Sequence, residues 1–117
     1  METVEEKLYN RAVLLNALPL NAFGYNEFTV KCKRATLDAI KFIVKRSEVV
    51  ENYIRHESTI RLLNNVLGLD LKQSSGLYEH RPLDVMIVVT LRRPVRGVEV
   101  EVREEDLEVF ICEASEV

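Results

Sequence analysis

His56 and His80 are the chain's only histidines, so proton transfer near neutral pH falls first on them. His56 stands in Arg55-His56-Glu57-Ser58-Thr59, two or three residues ahead of a helix start expected at Ser58 or Thr59. A helix amino end presents unpaired N–H groups and partial positive charge, which suits a bound phosphate. The hydroxyls of Ser58 and Thr59 add donors, and a histidine beside a cradled phosphate can move protons without a metal. The plainer role for His56 is to help cap the helix. His80, in Tyr78-Glu79-His80-Arg81, falls in a polar loop, where a solvated side chain is expected.

Arginine is the second kind of residue suited to phosphate. Arg92 and Arg93 follow directly on an apolar run that starts at Asp84, and Arg96 comes just after Pro94. Functional side chains often sit at the carboxyl ends of sheet strands, and a guanidinium grips phosphate through two parallel hydrogen bonds. Arg92 is therefore either a phosphate ligand or an ordinary charged strand end. Asn16 and Asn21 flank Pro19-Leu20 after the first apolar run, as ligand contacts or as turn formers.

Other chemistries lack their residues. No Gly-rich phosphate loop, GxSxG elbow or HExxH pair occurs, and four glycines are too few for a dinucleotide fingerprint. Cys32 and Cys112 form no CxxC and have no histidine at ligand spacing, so neither a structural metal nor a cofactor is expected. Both fall in strand-like segments and are expected as buried free thiols. A disulfide is the alternative if the source is a hyperthermophile.

The elements that must position these residues follow from periodicity. Ala12 to Leu18 is an apolar run of strand length, and Asn26 to Lys33 alternates as a half-buried strand does. Leu37, Ile40, Ile43 and Val44 recur at helical spacing within Thr36–Arg46. Val49, Val50, Tyr53 and Ile54 predict a short helix broken around Arg55-His56. A second helix then carries Ile60, Leu63 and Leu67 on one face and stops at Gly68. Asp84–Arg92 is apolar enough for a central strand covered on both faces. Val98–Val102 alternates, and Leu107–Glu113 is a last strand. The sum is an α/β fold, a mixed sheet flanked by two or three helices, in a single domain over residues 1–117.

Composition agrees with that size. The 117 residues are 47% hydrophobic and 30% charged, enough for one core. The net charge of −3 hides an asymmetry: residues 99–117 hold eight acids and one base, so the rest of the chain is net basic. Such a body can draw a small polyanion to one face, whereas long duplex nucleic acid calls for a broader basic stripe. The apolar runs are too short to span a bilayer and the first residues are acidic, so no membrane partner and a cytoplasmic location are expected.

His56-Glu57-Ser58-Thr59-Ile60-Arg61-Leu62-Leu63-Asn64 is similar to the His-Asp-Ser-Thr-Ile-x-Leu-x-Asn stretch of the viral ring nucleases, inhibitors of type III CRISPR immunity from archaeal viruses. Asn16-Ala17-Leu18-Pro19-Leu20-Asn21 resembles the turn that ends their first strand, and Arg92 and Gly97 match an arginine and a glycine after their long apolar strand. The resemblance spans roughly residues 12 to 112. It implies a homodimer that binds cyclic tetra-adenylate across its two-fold axis and cleaves it without metal. His56 would protonate the leaving 5′-oxygen and Arg92 would stabilise the charged phosphorane. Asn16, Asn21, Ser58, Thr59 and Ser75 would contact the ring. The chain departs from the family pattern at Pro19, at Arg55 and after Arg92. The alternative is a module that binds a cyclic oligoadenylate, nucleic acid or a protein without cutting it.

Overall fold

The apolar run ahead of Pro19 forms β1 (Tyr9–Leu15), whose last five residues are all buried. It is flanked by two parallel neighbours, so both of its faces need apolar cover. The computed structural model describes residues 8–74, 76–92 and 102–117. Along the chain β1 is followed by β2 (Phe28–Ala35), α1 (Leu37–Lys45), β3 (Ser47–Asn52), α2 (Glu57–Leu67), β4 (Asp84–Leu91) and β5 (Leu107–Glu116). The five strands make one mixed sheet in the order β2-β5-β4-β1-β3. β1 runs parallel to β3 and to β4, while β5 runs antiparallel to β4 and β2. The expected α/β single domain with a mixed sheet is thus the fold observed, with two α-helices among the described residues.

Each helix starts and stops where its chemistry directs. In α1 the Thr36 hydroxyl accepts from the Ala39 N–H at 3.2 Å, an N-cap that satisfies one orphan donor. Gly68 ends α2 in the left-handed region at φ 66°, where a side chain would be strained. The apolar stripes of both helices, Ile40, Ile43 and Val44 with Ile60, Leu63 and Leu67, pack on Ala12, Leu14, Val85, Ile87 and Val89. Fully burying one such aliphatic side chain contributes about 1.5–3 kcal/mol. The opposite sheet face, built on Val13, Leu15, Met86, Val88 and Cys112, is covered by Phe23 and Tyr78 from non-helical segments.

Three expectations are corrected here. The short helix over Val49–Ile54 is instead the edge strand β3, with Val49 beside Arg11 and Val50 beside Ala12. β-branched valines favour a strand, and their helical spacing over so few residues fits either element. Helix α2 begins at Glu57 with His56 itself as N-cap, so Thr59 lies inside the first turn. The cysteines are not free thiols: Cys32 and Cys112 face each other across β2 and β5 with Cα atoms 4.1 Å apart, and they form a disulfide. That pairing depends on strand register between residues 80 apart, which spacing alone does not reveal. The alternating stretch 98–102, except Val102, lies outside the described residues, as do Arg93, Pro94, Arg96 and Gly97.

Candidate functional site

Parallel pairing brings three chain segments to one edge of the sheet. Leu15 at the end of β1 is in register with Val88 of β4, and Leu14 with Asn52 at the end of β3. Asn16, Arg92 and the Tyr53–His56 segment therefore all follow carboxyl ends at the same edge, the usual place for a site in an α/β sheet. Arg92 lies three residues past the level of Asn16, about 10 Å along the strand direction at ~3.3 Å per residue. Its position is fixed by the main chain, since its N–H donates to the Asp106 carbonyl at 2.8 Å and Nε reaches the Leu107 carbonyl at 3.4 Å. Among the described residues no other hydrogen bond engages the guanidinium.

His56 departs from ordinary helix chemistry. Asn, Asp or Ser at an N-cap gives about 1 kcal/mol through its side chain, yet His56 makes no side-chain cap bond. Its Nδ1 instead lies 2.8 Å from the hydroxyl of Thr59. Thr59 is 4% exposed while His56 is exposed, so a buried hydroxyl holds an open ring. The first N–H groups of α2 lose a capping acceptor and remain able to meet an anion.

Polar bonds brace the segment leading to His56. Asn52 Oδ1 accepts from the Ile54 N–H at 3.0 Å, and its amide donates to the carbonyls of Ile54 at 3.1 Å and Lys72 at 2.9 Å. Gln73 donates to the Arg55 carbonyl at 2.8 Å. Asn64 grips both main-chain groups of Leu71. Sequence reasoning missed these supports. Only Asn52, two residues after Val49-Val50, gave a signal, as a residue prone to bond its own backbone.

The sequence-derived residues are brought together in part. His56 and Thr59 touch, Ser58 accepts from Arg61 at 3.3 Å, and Asn16 and Arg92 share the edge. Asn21 is exposed in a 3-10 turn over Leu20–Ala22. Among the described residues no hydrogen bond links Asn16, Asn21 or Arg92 to His56. Ser75 lies outside the described residues.

His80 corrects a further expectation, for its side chain is 1% exposed rather than solvated. It sits in a buried network at the opposite edge, where β1 and β4 begin. There Arg11 Nε and Nη2 both meet the Asp84 carboxylate, Nη1 meets Glu51 at 2.9 Å, and the Tyr78 hydroxyl donates to Asp84 at 2.7 Å. Tyr78 also lies 2.9 Å from His80 Nδ1, while Nε2 is buried with no hydrogen-bond partner among the described residues. Burial works to raise the Asp84 carboxyl, but hydrogen bonds from Arg11, Tyr78 and the Arg81 N–H outweigh it and hold it below its ordinary value. Burial pushes His80 down; Asp84 opposes this and Arg11 adds to it. Burial also lifts the hydroxyl of Tyr78, reinforced by its bond to Asp84. Every strong partner there is internal, so the network binds strands to loop rather than presenting a reactive group.

The chain is similar in structure to B116 of Sulfolobus turreted icosahedral virus, with a TM-score of 0.70 and 14% identity over 88% of this chain and 98% of that one. At that identity the match shows a shared fold. No curated protein sequence matches it. No helix among the described residues is long and apolar enough to cross a membrane. The sequence profile of the STIV B116-like family matches residues 12–114, nearly the whole chain, and the chain belongs to that family.

Proposed function

We propose that the protein is a metal-independent ring nuclease that opens cyclic tetra-adenylate into short linear oligoadenylates ending in a 2′,3′-cyclic phosphate. The observation that carries this reading is the state of His56: an exposed imidazole at the amino end of α2, unused as a cap and held by Thr59. The family match and its archaeal virus relative support it. In the proposed step the ribose 2′-oxygen forms a bond to the neighbouring phosphorus as the P–O5′ bond breaks. His56 gives its proton to the departing 5′-oxygen, and Arg92 meets the charge that builds on the phosphoryl oxygens. Asn16 and the N–H groups of the first turn of α2 hold the phosphate in place.

A four-fold cyclic ligand is matched by symmetric walls, and a two-fold dimer is the commonest way to build them. Two copies would supply two such edges to one ring. Consuming the messenger in the cytoplasm would damp type III CRISPR signalling. The test is incubation with cyclic tetra-adenylate in chelator, with products resolved by chromatography and mass followed by light scattering. Linear products from a dimer support the reading. A tightly bound but intact ring assigns the protein to binding alone, and a monomer that ignores the ring removes both.

A further inference from the structure

We propose that Thr59 is a positioning residue that sets which nitrogen of His56 carries the labile proton. This deepens the nuclease reading and rests on it for its kinetic consequence, though not for the state of the ring itself. Sequence placed Thr59 among the ligand contacts, but its side chain is buried at 4% exposure and its hydroxyl lies 2.8 Å from His56 Nδ1. The hydroxyl is thus turned to the imidazole rather than to a ligand outside. Burial leaves the Thr59 side chain little room to change rotamer, so the oxygen stays beside the ring. The segment carrying the ring is fixed as well, by Gln73 on the Arg55 carbonyl and by the Ile60 N–H on the His56 carbonyl at 3.0 Å.

The chemistry follows from the two ring nitrogens being distinct. In the imidazolium both carry protons, and Nδ1–H donates to the Thr59 oxygen. Nε2, diverging from Nδ1 across the ring, is the one free to face the ligand. As the O2′–P bond forms and the P–O5′ bond breaks, the Nε2 proton ends on O5′. The neutral ring keeps Nδ1–H on Thr59 and leaves Nε2 as a bare acceptor. The proton lost by the 2′-hydroxyl then restores Nε2 through water, and the cycle balances. Without the hydroxyl, neutral histidine reverts to its preference in water for Nε2–H, and the ring turns freely.

The test is a long-range proton–nitrogen NMR spectrum of the ligand-free, ¹⁵N-labelled protein, with His56 assigned by comparison with His56→Gln. At a pH where the ring is neutral, the wild type and Thr59→Ser are expected to show mainly the Nδ1–H form, and Thr59→Val mainly Nε2–H. With cyclic tetra-adenylate, Thr59→Val is expected to lose about tenfold in kcat, part of what a general acid contributes, with KM within about twofold. Thr59→Ser should recover most of the rate. A wild-type ring mainly in the Nε2–H form, or a Thr59→Val ring unchanged from wild type, overturns the proposal whatever the turnover. The expected tautomers in a protein that leaves the ring uncut would keep the hold of Thr59 on His56 and overturn the nuclease reading.

Discussion

Reducing the Cys32–Cys112 disulfide should cost the protein a large part of its stability. The bond closes a loop across a sequence separation of 80 residues. In the chain-entropy description a loop of that length restrains the unfolded chain by about 4.5 kcal/mol at 25 °C. A domain of ordinary stability has only about 5–15 kcal/mol in total. Reduction leaves the fold without cavity or substitution, so the effect can be read on the wild-type protein. With a urea m-value of about 2 kcal/mol per molar, the unfolding midpoint should fall by about 2 M on adding a phosphine reductant. Thiol counting under denaturing, non-reducing conditions should find none before reduction and two after. Two thiols before reduction would refute the bond. A midpoint that moves by less than about 0.5 M would refute the reasoning from loop closure.

Asp84→Asn should destabilise by about 3 kcal/mol in the same assay, the low end for breaking a buried ion pair, because Arg11 loses its buried carboxylate and keeps only the more exposed Glu51; a cost below about 1 kcal/mol would show that the pair is not buried as described. Stability should also fall with acid in two phases. His80 is held below its ordinary 6.5, so the unfolded chain binds the extra proton and stability drops as pH falls through about 6.5. Asp84 is held below its ordinary 3.8, so its contribution stays intact above that value and is lost beneath it. His80→Gln should flatten the first phase alone, and a wild-type stability unchanged between pH 7 and 5 would contradict the burial of a neutral His80. Arg92→Ala should slow ring opening about 10²–10³-fold with a smaller effect on binding, and Arg92→Lys should recover part; equal losses in both would make Arg92 a binding residue.

Sequence patterning reaches the burial of Asp84–Leu91 and the Gly68 stop, because a central strand and a left-handed C-cap each leave a local signature. It also reaches a helix start close to His56, although Ser58 and Thr59 put the cap two or three residues too late. It does not reach the state of His80, a polar residue in a polar loop. Its burial depends on Tyr78, Asp84 and Phe23, and those meet it only once the sheet has formed. The disulfide and the β3 pairing are hidden for the same reason, since both depend on register between strands distant in sequence. Within the site, sequence reads Thr59 as a ligand contact; its burial and the approach of its hydroxyl to His56 Nδ1 are set by the fold.

The central claim is that His56 protonates the leaving 5′-oxygen of a cyclic tetra-adenylate. Single-turnover cleavage by wild type and by His56→Ala, in chelator and beside a binding measurement on each, tests it most directly. The wild type should release linear oligoadenylates with 2′,3′-cyclic phosphate ends. His56→Ala should bind the ring yet cut it about 10²–10⁴-fold more slowly, the usual contribution of a positioned general acid. A His56→Ala protein that cuts at the wild-type rate, or a wild type that leaves the ring whole, would contradict the account.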